Sequence, residues 1–402
     1  MQIANVHLTY CTNIHPGESW EATFDNLKKY VPNIKKNVSP DGAFAIGLRL
    51  SDEASVGLLR GDNLGEFKRW LEEEQCYVFT FNGFPFGGFH RQVVKDEVHH
   101  PDWTTPERLA YTLRLFDILA QLLPEGMDGG ISTSPLTYRH WHHGEKAIEA
   151  VKRKSCEHLL EVVQHLHKIK ATTGQVLHLD IEPEPDGLLE NAGEVIDFFK
   201  EWLIPLGTTV LFEQLGLPET EAAAVVKEHI RVCYDVCHFA VAYEDHGAVV
   251  AAFEREGIKT GKIQISAALK VKIPQDKKKR KDVERALLPF VESTYLHQVI
   301  GRNQEGTLTS YPDLPDALVN LADTDDGEWR IHFHVPVFVD SYGLLQSTQS
   351  DILKVLELNC SHAFTAHLEV ETYTWEVLPH DMHRTLEGDI SRELEWVKSK
   401  LP

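Results

Sequence analysis

Leu177-His178-Leu179-Asp180-Ile181-Glu182-Pro183-Glu184-Pro185 reads as an apolar strand that ends abruptly in acid. Prolines on either side of Glu184 stop the strand and stiffen the turn. Asp180 and Glu182 are two residues apart and share a face. A carboxylate with no basic neighbour at the end of a buried strand needs compensation, and a cation supplies it. The alternative is an exposed loop carboxylate.

Working outward, comparable runs recur along the chain at Ile3–Tyr10, Ala43–Leu50, Tyr77–Asn82, Gly129–Thr133, Val176–Glu182, Arg231–Asp235, Lys262–Ser266 and Ala366–Glu371, with a further short run at Arg330–Phe338. Several are near-continuously apolar, as parallel strands covered on both faces are. Amphipathic stretches fill the gaps. Thr104-Thr105-Pro106-Glu107 signals a helix start, and Pro124 closes that helix. Another helix is expected over Asp282–Ile300. Eight strands alternating with helices predict an α/β fold, a (β/α)8 TIM barrel with loop insertions. A doubly wound open sheet is the alternative. The expectation is one barrel domain over residues 1–402, with an insertion around 270–340 and a C-terminal helix. The basic tract Lys270–Asp282 reads as a solvated loop and helix start, or as a cationic lid over an anionic substrate.

Composition narrows the function. The 402 residues are 42% hydrophobic and 25% charged, which excludes a mostly disordered chain. A net charge of −21 repels phosphate backbones and argues against nucleic-acid partners. No apolar stretch is long enough to insert in a membrane. The opening residues Met1-Gln2-Ile3-Ala4-Asn5 lack a basic region followed by a long apolar core, and the six cysteines form no CxxC pair. A cytoplasmic protein with reduced thiols is expected.

In a barrel of this kind the site lies where strands end. After Glu182, the next candidates lie in Val232-Cys233-Tyr234-Asp235-Val236-Cys237-His238-Phe239-Ala240, where Asp235 and His238 can converge on one cation or bridge two. In Trp329-Arg330-Ile331-His332-Phe333-His334-Val335 an extended chain puts both imidazoles, His332 and His334, on one side. In Ala366-His367-Leu368-Glu369-Val370-Glu371 the later glutamate stands nearer the open end, so Glu371 is the chosen ligand and Glu369 the substitute. Gln264 is either a weak ligand or a hydrogen-bonding partner for a substrate hydroxyl. Asn13 and His15, after the first strand, and Asn82 and His90, in the aromatic glycine-rich loop after the third, are expected to contact substrate. There is no GxSxG, P-loop, HExxH or strand-following GxGxxG motif.

The order Glu182, Asp235-x-x-His238, a polar residue on strand seven, His332-x-His334 and Glu371 resembles the xylose isomerase-like superfamily of metal-dependent TIM barrels. Tyr234-Asp235-Val236-Cys237-His238-Phe239-Ala240 resembles the endonuclease IV metal motif. Three blocks are similar to the EboE family of metabolite traffic proteins: Leu8–Glu18, the Asn82–His90 loop running on to Pro101-Asp102-Trp103, and Leu368–Trp375. The resemblance implies Glu182, Asp235 and Glu371 as main metal ligands. The histidine usual on strand seven is here Gln264. It implies His238, His332 and His334 at a second metal, and a divalent cofactor, zinc or manganese ahead of magnesium. It also implies a small-molecule metabolite as substrate and operon-encoded proteins as partners. The expected activity is isomerisation or epimerisation of a sugar-like or polyol-like metabolite, with Glu182 and Glu371 moving the proton. A non-catalytic carrier on the same barrel is the alternative, and an endonuclease IV-like phosphodiesterase stands third because of the acidic charge.

Overall fold

A computed structural model describes residues 1–88, 93–376, 378 and 385–402. Eight parallel strands form the barrel wall: β1 Val6–Tyr10, β2 Phe44–Arg49, β3 Cys76–Asn82, β4 Gly129–Thr133, β5 Leu177–Ile181, β6 Ile230–Asp235, β7 Thr260–Ile265 and β8 His367–Val370. They follow chain order around the sheet, and β8 lies between β7 and β1. The edge pair Gln2–Ile3 folds back antiparallel on β1. This is the TIM barrel arrangement. Its strands are buried almost throughout, which is why they read as apolar runs.

Closure between β1 and β2 is thin. A single parallel bridge joins Cys11 to Gly47. Thr9 Oγ1 donates to the Ala45 carbonyl at 2.8 Å, and the Arg49 amide donates to Thr12 Oγ1 at 2.8 Å. Glu369 of β8 points inward and pairs with Lys262 of β7, both fully buried. A Cβ on Gly47 would lie 1.9 Å from Glu369 Oε1, so only glycine leaves room there.

Helices wrap the wall with ordinary capping. Thr105 accepts from the Arg108 amide, Pro106 opens the helix Pro106–Leu122, and Pro124 lies just past its end. The helix from Trp20 runs to Val38 and contains Pro32. The C-terminal helix spans Leu386–Lys398.

The main elaboration follows β7. A six-stranded antiparallel sheet forms in the order Leu308–Tyr311, Val299–Asn303, Asp326–His334, Ala268–Lys272, Leu345–Ser347, Ser341–Tyr342. The helix expected over Asp282–Ile300 is therefore corrected. A helix capped by Asp276 covers Lys277–Leu287, and a turn at Leu288–Phe290 follows it. Pro289 cannot continue the helix, and the β-branched Val299-Ile300 pair joins the new sheet as a strand. The basic tract is the sheet's first strand and the start of this helix. Arg280 is buried and donates to the carbonyls of Pro274, Leu321, Ala322 and Thr324, whereas Lys277 pairs on the surface with Asp323. It does not line the cavity described below.

Candidate metal centre

Strand ends bring the acids together. Asp235 is the last residue of β6, and Glu182 and Glu371 directly follow β5 and β8. One oxygen from each lies within 4.8 Å of the others, and all three residues are buried. Residues nearly two hundred positions apart in sequence thus share one point. Asp235 also caps the helix Val236–Val241, accepting from the His238 amide at 3.1 Å and from Ser266 Oγ at 2.6 Å.

Crowded buried carboxylates resist ionisation. Burial, followed by the charges of Asp235 and Glu369, pushes Glu371 up to about 8. Burial and the charges of Glu371 and Asp235 raise Glu182 well above the usual carboxylate range. Glu184 is raised as well, first by burial and then by Asp235.

Gln264 stands at the centre of the acids. Its Nε2 donates to Glu182 Oε1 at 3.1 Å and Asp235 Oδ2 at 3.4 Å, and also to Glu371 Oε2. Its Oε1 accepts from Cys233 Sγ at 2.6 Å. In this orientation the amide faces the acids with its NH2; a half-turn of the amide would present the oxygen instead. Asn13 and Asn82 both donate to Glu371 Oε1, at 2.8 and 2.9 Å. Expected as substrate contacts, they also hold that carboxylate in place while lining the cavity.

The antiparallel insertion supplies the imidazoles. His332 and His334 come from its strand Asp326–His334, where a bulge lies between Ile331 and His334. His238 Nδ1 meets the Pro183 carbonyl at 2.9 Å, His332 Nδ1 meets Gln298 Oε1 at 2.9 Å, and His334 Nδ1 meets the Glu371 carbonyl at 3.0 Å. A carbonyl at each Nδ1 sets that nitrogen as the donor and leaves each Nε2 lone pair free to ligate. The Nε2 atoms of His332 and His334 are buried without a hydrogen-bond partner. Burial lowers all three histidines, His334 to about 4, so they stay neutral at physiological pH. Asp235, His238 and His334 form one set of converging ligand atoms, and Glu184, His238 and His332 form another.

Glu182, Glu184, His238, His332 and Glu371 line one cavity together with Phe84, Lys95, His99, Tyr295, Gln298 and Tyr373. Of these, His99 faces Glu184 Oε1 at 3.1 Å, and Lys95 pairs with Asp313 at 2.6 Å. Sequence reading missed His99, Glu184 as a site member, Lys95 and Gln298. Only Glu184 left a signal, between its two prolines. His15 is not on the cavity: its Nε2 meets Tyr10 OH at 2.9 Å and its ring stacks on Tyr30. Glu369 pairs with Lys262 deeper in the barrel. His90 lies outside the described residues.

The donor set fits a divalent ion. Buried carboxylate oxygens and imidazole lone pairs converge with too few protein cations to balance them, and Glu182 Oε2 has no hydrogen-bond partner. Glu182, Asp235 and Glu371 would hold one ion, and a neighbouring one would be held by Asp235, His238 and His334 or by Glu184, His238 and His332.

No family model matches the chain, and no curated protein matches it. Among solved structures the chain is similar to a xylose isomerase-like TIM barrel protein from Mycobacterium smegmatis in complex with magnesium, at 10% identity over 99% of this chain and 98% of that one, with a TM-score of 0.52. It is also similar to the IOLI protein with a bound zinc atom, at 12% identity over 98% of both chains, with a TM-score of 0.45. The likeness is one of fold. Among the described residues no helix is long and apolar enough to cross a membrane.

Proposed function

We propose that this chain is a metal-dependent isomerase or epimerase of a sugar-like or polyol-like metabolite, of the EboE type. The observation that carries the reading is the pair of buried glutamates, Glu182 and Glu371, which both line the cavity and whose oxygens lie within 4.8 Å of each other and of Asp235. A bound divalent ion would supply Lewis acidity, polarising a substrate carbonyl. The chain's own groups handle the proton. A carboxyl held near 8, as Glu371 is, exchanges a proton close to neutral pH, which suits acid–base work at carbon. Asn13 and Asn82 fix its Oε1 and leave Oε2 toward Gln264. Tyr295, Tyr373 and Phe84 wall the cavity, while His99 and Gln298 offer polar contacts to hydroxyls.

Zinc or manganese is the cofactor we favour, because of the imidazoles; magnesium was bound by the M. smegmatis barrel. The substrate would be a small metabolite met in the cytoplasm, with operon-encoded proteins as partners. The charge of −21 keeps nucleic acid out of the reading.

The test is solvent deuterium wash-in at carbon, using metal-loaded protein and a panel of ketoses, aldoses and inositols. Exchange that is lost in Glu182→Gln supports the enzyme. Tight binding without exchange across the panel would replace this reading with that of a carrier, which the Gln264 amide facing the acids would suit.

A further inference from the structure

A second group of metal-competent side chains meets at the other end of the barrel. Asp128 immediately precedes β4, His178 is the second residue of β5, and His367 is the first residue of β8. Their ligand atoms all lie within 4.8 Å of one another. His178 Nε2 is 3.5 Å from Asp128 Oδ2, and His367 Nε2 is 3.1 Å from Asp128 Oδ1.

The state of His178 makes this more than a chance meeting. The residue is fully buried, its Nδ1 lies 2.6 Å from Asp180 Oδ1, and its Nε2 has no hydrogen-bond partner. Asp180 accepts the Nδ1 proton and so turns the Nε2 lone pair toward Asp128. A lone pair facing a carboxylate repels unless a cation lies between them. A carboxylate behind a ligating imidazole is the usual support of a metal-bound histidine. The barrel clears space for this pair with two glycines: a Cβ on Gly130 would lie 2.3 Å from His178 Cε1, and one on Gly261 would lie 1.9 Å from Asp180 Oδ1. Arg231 also donates to Asp128 Oδ2, at 3.1 Å. The Asp128 side chain is 38% exposed, so the site opens to solvent and water can take a remaining position.

We propose that Asp128, His178 and His367 bind a divalent metal ion of the zinc class at the N-terminal mouth of the barrel. Ligands at about 2.0–2.1 Å around a tetrahedral ion stand about 3.3 Å apart. The two separations, 3.1 and 3.5 Å, bracket that edge. Two imidazole nitrogens and one carboxylate select zinc or cobalt over magnesium. β4 and β8 stand on opposite sides of the eight-strand wall, so the ion ties the barrel across its lower end. The role is structural and independent of the chemistry at the upper face.

Crystals of the full chain soaked in zinc chloride, with anomalous difference maps at the zinc edge, test the location. The expected result is a peak within about 2.2 Å of ligand atoms from Asp128, His178 and His367. Zinc stoichiometry in solution tests occupancy: Asp128→Asn and His178→Gln should each bind one equivalent fewer than the natural chain. Asp128 is partly exposed, so its variant should keep the natural circular dichroism spectrum even if the His178 variant unfolds. A zinc-soaked crystal without a peak beside Asp128 overturns the proposal. So does Asp128→Asn binding as many equivalents as the natural chain.

Discussion

Stripped of metal by a chelator, this protein should lose stability as pH rises through the range in which Glu371 gives up its proton. Burial first, then the charge of Asp235, moves that carboxyl from 4.5 to about 8. Between the two values the folded chain holds a proton that the unfolded chain has released. The stabilising contribution is therefore complete below about pH 4.5 and is lost as pH climbs toward about 8. From about pH 7.5 to about pH 9 the loss from this one group is about 1 kcal/mol. Glu182 is raised by the same causes and adds to the same sign. That window lies above the ordinary histidine range, and His238, His332 and His334 are neutral there in both states, so they do not mask the effect. Asp235→Asn removes the charge while keeping an oxygen for the His238 amide and Ser266. Its decline should be shallower, and saturating zinc should abolish the decline in the natural chain, because a bound cation keeps the carboxylates ionised. Urea unfolding followed by circular dichroism at low salt measures this. A flat stability profile in the stripped protein, or an unchanged slope in Asp235→Asn, would refute the reasoning.

Two further outcomes concern groups that support the site. Lys262→Met leaves Glu369 buried and unpaired, which should cost about 3–5 kcal/mol in urea unfolding; adding Glu369→Leu should restore most of it, and an unmoved midpoint in the single variant would contradict the pairing. Gln298→Leu removes the acceptor at His332 Nδ1, and calorimetry should then show about 10–100-fold weaker binding of the zinc held by the imidazoles. Unaltered affinity would mean that His332 is not a ligand.

Much of the site was legible because a parallel barrel puts strand ends at one mouth. Glu182, Asp235 and Glu371 each close an apolar run, and period-two geometry alone aims them into the same opening. His332 and His334 were legible as a pair because an extended chain presents both to one side. Other roles depended on contacts that local pattern does not encode. Asn13 and Asn82 read as groups for a substrate, yet both hold Glu371, 358 and 289 residues away. Gln298 fell inside a stretch read as helix, and its place beside His332 exists only because Val299–Asn303 pairs with Asp326–His334.

Burial pattern and strand period are local properties of the chain, so the alternating strands and the acids that end them could be read residue by residue. Tertiary structure decided which nitrogen of each histidine is free, which carboxyls resist ionisation, and that His178 and His367 share a second meeting place with Asp128 at the lower end. Those properties depend on hydrogen-bond partners and neighbouring charges from distant strands, and only the closed sheet brings them within reach.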